Sequence, residues 1–133
     1  MKTKKKILVV VTAVLLIGLA IGAKFMLDVQ SYQNQIAAMQ ISEIDLSNVP
    51  DGIYEGSYDA DLIKVKVLVD VKDHKITNID LVQHENGKGA PGEAVIPEVI
   101  ESQSLEVDAV SGATNSSKVI LKSIELAITS AKK

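Results

Sequence analysis

The chain has no cysteine among its 133 residues, which excludes disulfides, thiolate metal sites and cysteine-ligated iron–sulfur clusters. Any redox chemistry must therefore be carried by a bound cofactor. Tryptophan is absent and aromatic residues make up 3% of the chain, with Tyr32, Tyr54 and Tyr58 the only tyrosines, so few rings exist to stack on a planar ligand. The two histidines, His74 and His84, have no third ligand of suitable type nearby, and no metal site is predicted. Basic residues are scarce beyond Lys24, where nine lysines face all seventeen acidic residues, a formal charge of −8 against −3 for the whole chain. No basic face is available for nucleic acid, and none is expected as a partner. The chain also lacks a dinucleotide fingerprint and a G-x-S-x-G elbow, and no serine has a base nearby in sequence. Autonomous catalysis is the least favoured function, and no catalytic residue is assigned.

What is present begins with an apolar run, Ile7 to Ala23, preceded by Lys2, Lys4, Lys5 and Lys6. As a helix the run spans roughly 26 Å, and Phe25, Met26 and Leu27 extend it toward the ~30 Å of a bilayer core if Lys24 snorkels. Residues 1–27 are read as a basic cytoplasmic tail and a single-pass anchor touching lipid through residues 7–27. The positive-inside tendency places the remainder on the extracytoplasmic side of a cell membrane. A cleavable signal peptide is the alternative, with Ala20 and Gly22, or Ile21 and Ala23, as its cleavage site. The length of the run favours a retained anchor.

Residues 28–50 are polar and read as a stalk, its first half a helical continuation of the anchor and Leu46 to Pro50 an extended connector. Residues 51–133 are then one small domain. Ile53 to Tyr58 is a first strand. Across Ile63, Val65, Val67, Val69 and Val71, apolar residues alternate with Lys64, Lys66, Leu68 and Asp70, the period of a sheet with one buried face. Asp73-His74 sits at the place for a hairpin turn before a strand from Ile76 to His84. A glycine-rich loop, Glu85 to Gly92, leads to a helix over Ala94 to Gln103, and Leu105 to Asp108 reads as a further strand. A last helix from Lys118 to Ala131 presents Val119, Ile120, Leu121, Ile124, Ala127, Ile128 and Ala131 on one side and leaves Lys118, Lys122 and Glu125 to water. The fold class is α+β, a small antiparallel sheet packed against helices after one N-terminal transmembrane helix.

The stretch Val107 to Ser117, VDAVSGATNSS, is where a turn becomes that last helix. Two readings follow from its residue types. Ser, Thr or Asn would supply an N-cap oxygen while Gly112 takes a backbone shape that other residues resist. Alternatively, the free N–H groups and positive dipole end of the helix would hold an anion, with Gly112 and Ala113 allowing close approach. On spacing alone the structural cap is favoured.

The run Asp108-Ala109-Val110-Ser111-Gly112-Ala113-Thr114 resembles the D-x-x-[ST]-G-A-T signature of the FMN-binding domain family, which includes the C subunit of the sodium-pumping NADH:quinone reductase and the G subunit of the Rnf complex. The likeness extends from about Asp51 to Ile128, through Asp51-Gly52-Ile53-Tyr54-Glu55-Gly56 and the segment around Ile96-Pro97-Glu98-Val99-Ile100. In that family the threonine ending the motif carries FMN through a phosphoester bond installed by a separate flavin transferase. The resemblance thus implies FMN as the cofactor, Thr114 as its attachment residue and a flavin transferase as the maturation partner. It sets Ser111, Gly112, Ala113, Ser116 and Ser117 around the phosphate, gives Asp108 a role in recognition by the transferase, and puts His84 near the flavin.

The expected function is a membrane-anchored, extracytoplasmic electron-transfer flavoprotein, an electron carrier rather than an autonomous enzyme, serving redox partners at the membrane. The alternatives are a flavinylated subunit of a larger membrane redox complex and a non-redox surface binding module whose helix start merely imitates the motif.

Overall fold

The computed structural model describes residues 1–85 and 89–132. It divides into two compact units, Met1–Asn34 and the chain from Gln35 onward. Helix α1, Lys2–Ala38, makes up nearly all of the first. It is long and apolar enough to cross a membrane, with a most apolar stretch of mean hydropathy 2.5 that is 0% buried. Its helical course through the polar residues after Lys24 matches the expected continuation of the anchor.

The second unit is α+β. Strands β1 (Gly52–Asp59), β2 (Lys64–Lys72) and β3 (Lys75–Glu85) form an antiparallel sheet in the order β1-β2-β3. The alternation in β2 is realised directly, since Val65, Val67, Val69 and Val71 are all buried while the residues between them are partly exposed. Asp73 and His74 form the hairpin turn with φ of 52° and 60°, the two left-handed residues a two-residue β2–β3 connection of twist-matched type needs. That costly backbone is held by neighbours: the Asp73 amide donates to Asp51 Oδ1 at 2.9 Å, and His74 Nδ1 lies 3.1 Å from the Leu46 carbonyl. His74 is a turn residue.

After β3, a 3-10 turn, Ala90–Ala94, leads into α2, Val95–Ser102. Gln103 ends α2 in the left-handed conformation, and its side-chain amide accepts from Ile76 N at 2.7 Å and donates to Ile76 O at 2.8 Å. It thereby stands in for a strand at the start of β3. The last helix, α3, runs Thr114–Ala131, four residues longer at its start than the apolar period indicates. Its Val119, Ile120, Ile124, Ala127 and Ile128 are buried, and the helix packs on β1 and β2. At Gly56 the two backbones meet: a Cβ there would lie 1.9 Å from Ser123 O.

Two expectations are corrected. Leu105 to Asp108 forms no strand: the Leu105 amide donates to Glu43 Oε1 at 3.1 Å and the Ser104 hydroxyl donates to the other Glu43 oxygen. A side-chain carboxylate takes the place of a neighbouring strand. Lys122 and Glu125 are also not open to water, their side chains being 20% and 13% exposed. They pair at 3.1 Å, and together they fasten residues 40–42, with Lys122 Nζ donating to Gln40 O at 2.9 Å and Ser42 N donating to Glu125 Oε2 at 3.1 Å. Ile36 and Val49 are buried within the same unit, so residues 35–50 pack as part of the domain.

Candidate functional site

The turn before α3 is built from its own hydroxyl groups. Gly112 has φ +80°, and a Cβ at that position would meet nothing within 4 Å, so open space lies beside the backbone there. The Ala113 amide donates to Val110 O at 2.9 Å, closing the turn, and the Ala113 side chain is buried. Ser117 reaches back across it, accepting from the Val110 amide at 3.0 Å and donating to Ala113 O at 2.8 Å. The helix then begins at Thr114, with Ala113 in the cap position at φ −135° and ψ 36°, and no side chain makes a capping hydrogen bond. The expectation that Ser, Thr or Asn supplies the N-cap oxygen is therefore corrected. Ser117 is committed to the turn, and Thr114 is exposed.

These placements divide the motif. Ser111, Gly112 and Thr114 lie on the open side. Ser116 and Ser117 are 1% and 0% exposed and face the domain with Ala113. Asp108 is exposed and lines a shallow groove with Glu98, Glu101, Ser102, Glu106 and Val107. Such a carboxylate-rich wall repels an anion.

His84 is aimed by an irregularity in the sheet. The β2–β3 register slips by one residue between Lys66/Val67 and again between Asp70/Val71, leaving Val82 and Thr77 as bulges. Without the bulge at Val82, the alternation from Ile79 would turn position 83 inward; with it, His84 lies opposite Val65 on the face covered by α3. The imidazole is 3% exposed. Its Nδ1 lies 2.8 Å from Glu93 Oε1 and its Nε2 lies 3.1 Å from Ser116 Oγ. In the neutral ring, Nδ1–H donates to the carboxylate and Nε2 accepts the serine proton. The fold thus gives Ser116 the base that sequence spacing did not. Its order, acid to imidazole to hydroxyl, is that of a nucleophile triad, but burial of Ser116 keeps substrate from its oxygen. Gly92 seals the contact, since a Cβ there would lie 3.0 Å from both Ser116 Cβ and Ser117 N. Glu93 carried no sequence signal; it follows the glycine-rich loop that Gly92 ends, of which Asn86, Gly87 and Lys88 lie outside the described residues, as does the terminal Lys133.

The model of the FMN-binding domain matches residues 60–129, from the first residue of the β1–β2 connection to the last turn of α3. The chain belongs to the FMN-binding domain family. Its cofactor is FMN. No curated protein and no solved structure matches the chain. The residues of this FMN-binding domain fit a flavin phosphate: α3 starts without a side-chain cap and without an acidic residue in its first turn, an exposed hydroxyl stands at its first position, and the backbone at Gly112 is open.

Proposed function

We propose that this protein is a membrane-anchored, extracytoplasmic electron-transfer flavoprotein, with FMN joined through its phosphate to the Thr114 hydroxyl. The observation that carries the reading is the exposure of Thr114 at the uncapped start of α3, in the matched domain and at the end of the D-x-x-[ST]-G-A-T run. Thr114 Oγ would attack the phosphorus of an activated flavin phosphoanhydride held by a flavin transferase. The oxygen–phosphorus bond forms as the anhydride bond breaks and its leaving phosphate departs, and the hydroxyl proton passes to a base of the transferase. Of the surrounding groups, Ser111 and the backbone at Gly112 and Thr114 would hold the remaining phosphate charge. Ser116 and Ser117, buried and already bonded, would hold the turn in shape.

When bound, FMN supplies the electron exchange that a chain without cysteine leaves to a cofactor. The covalent bond serves retention: a carrier outside the cell loses a dissociable cofactor by dilution, whereas helix-end stabilisation of an anion is worth only about 0.3 to 2 kcal/mol. Asp108 and its acidic groove would be read by the transferase during attachment. The lysines before the apolar part of α1 would hold the N-terminus in the cytoplasm, with the domain facing outward.

The test is intact mass and the visible spectrum, taken after denaturation, of the full-length protein produced with a flavin transferase, beside Thr114→Val. The expected result is an added mass of FMN minus water and yellow colour that survives denaturation, both absent from the variant. An unmodified protein from an active transferase would overturn the reading and leave the motif as a helix start.

A further inference from the structure

Glu93, His84 and Ser116 form a polar chain that the proposed attachment does not use, with the imidazole and the hydroxyl buried and the carboxylate half-exposed. A chain of this kind is an odd way to fill the contact between β3 and the first turn of α3. Burying polar groups is at best neutral against apolar packing of the same volume, so what such a chain adds is direction. An apolar contact lets a helix rotate by a few degrees with little change in energy, whereas a hydrogen bond loses strength steeply with angle.

The direction it fixes is the one that matters for Thr114. Residues two apart on a helix point about 200° apart around its axis. Ser116 held inward against His84 therefore turns Thr114 outward, as their exposures show, 1% for Ser116 and an open surface for Thr114. Each link in the chain comes from a different element: the imidazole from β3, turned in by the bulge at Val82; the carboxylate from the 3-10 turn; the hydroxyl from α3. Three elements are thus registered to one another two residues from the acceptor hydroxyl.

We propose that Glu93, His84 and Ser116 are positioning residues for cofactor attachment, setting the rotation of the first turn of α3 so that the Thr114 hydroxyl is presented to the flavin transferase. The proposal rests on the reading of Thr114 as the attachment residue. Recognition is left to the exposed residues of the motif, Asp108, Ser111, Gly112 and Thr114. Loss of the chain should therefore slow turnover by the transferase and leave its KM for this protein alone.

The two ring nitrogens can be separated by substitution. The terminal amide of glutamine reaches the place of Nε2, where its carbonyl oxygen can accept from the Ser116 hydroxyl, and the amide nitrogen of asparagine reaches the place of Nδ1, so His84→Gln keeps the contact to Ser116 and His84→Asn keeps the contact to Glu93 but loses that to Ser116. Full-length protein and variants are flavinylated with purified transferase, and kcat and KM are read from the growth of the modified mass. His84→Asn and Ser116→Ala are expected to lose about tenfold or more in kcat, the scale of a misplaced reacting group, with KM within about twofold of wild type. His84→Gln is expected to recover most of the rate. Glu93→Ala, at a half-exposed position that tolerates truncation, is expected to fall in the same direction and covers the case in which a buried variant does not fold.

A purely structural chain would give a different pattern, with both His84 variants equally slow and rates that track the unfolding midpoint. That pattern, or wild-type kcat in His84→Asn and Ser116→Ala, would overturn the proposal while leaving attachment at Thr114 standing. Wild-type protein that an active transferase leaves unmodified would remove both.

Discussion

Ser117 and Val110 are joined across the motif turn, the Val110 amide donating to Ser117 Oγ at 3.0 Å while the same hydroxyl donates to Ala113 O at 2.8 Å. One side chain thus satisfies a turn amide and closes the turn onto the helix that follows it. Ser117→Ala deprives the part-buried Val110 amide of this acceptor, and a buried donor left unpaired costs about 1–3 kcal/mol. The expected result is a loss of that size in denaturant unfolding, with slower flavinylation of Thr114. A change below about 0.5 kcal/mol, the scale of an ordinary surface substitution, would show that the turn is held without the hydroxyl.

The approach of β1 to α3 makes a second, sharper prediction. A Cβ at Gly56 would lie 1.9 Å from Ser123 O and 2.7 Å from Ala127 N, both backbone atoms that cannot rotate away. Overpacking of a core typically costs 1–3 kcal/mol, and a backbone clash has less room to relax, so Gly56→Ala is expected to lose about 3 kcal/mol or more. Gly52→Ala is the control on the same strand, because the atoms nearest its Cβ would belong to the Tyr54 side chain, the hydroxyl oxygen first at 3.3 Å. Its unfolding midpoint should stay near wild type, and equal losses in the two variants would sink the argument from the close approach.

The parts of this domain that were legible in the sequence are those with a strict period. Val65 to Val71 announced β2, Asp73-His74 the hairpin, and the apolar face from Val119 to Ile128 the packing of α3. What periodicity cannot register is a departure from itself. The bulge at Val82 has no residue signature, yet it decides that His84 and not its neighbour meets α3. The start of α3 was hidden because Ser116 and Ser117 are buried polar residues, which in a sequence look like a cap in front of a helix and not like its first turn. Leu105 to Asp108 had the alternation of a strand but found a carboxylate, Glu43, sixty-two residues from Leu105, where a strand was expected. The motif itself was readable as a resemblance, and the geometry adds that its threonine is exposed and its helix uncapped.

Glu43 gives the acid dependence a sign. Burial tends to raise its carboxyl, but hydrogen bonds from the Ser104 hydroxyl and from the Leu105, Ile44 and Glu106 amides together outweigh that and hold it below its ordinary value of 4.5. A carboxyl whose folded value is depressed contributes stability that is present above its unfolded value and is lost as pH falls through the folded one. Unfolding midpoints followed from neutral pH down through the glutamate range should therefore decline, and Glu43→Gln should flatten that decline. Part of the decline should remain, because Asp45, lowered by the Ser47 hydroxyl and amide, acts in the same direction. An unchanged pH profile in Glu43→Gln would show that the link from residue 43 to residues 104–105 adds nothing to stability.

Gly112 separates conformation from access. Its φ of +80° is strained for any residue with a side chain, but a Cβ there would touch nothing within 4 Å, so Gly112→Ala carries strain without a clash and is expected to cost roughly 1 kcal/mol. If the open backbone beside Thr114 is where the flavin phosphate approaches, the added side chain should slow flavinylation more than that strain explains. Asparagine tolerates the left-handed region better than alanine, so Gly112→Asn should recover stability relative to Gly112→Ala. Its bulkier side chain still occupies the approach to Thr114, and flavinylation should stay slow. Recovery of stability without recovery of rate assigns the glycine to access as well as to the turn. Recovery of both would mean that Gly112 serves the turn alone and that the phosphate comes to Thr114 from another side.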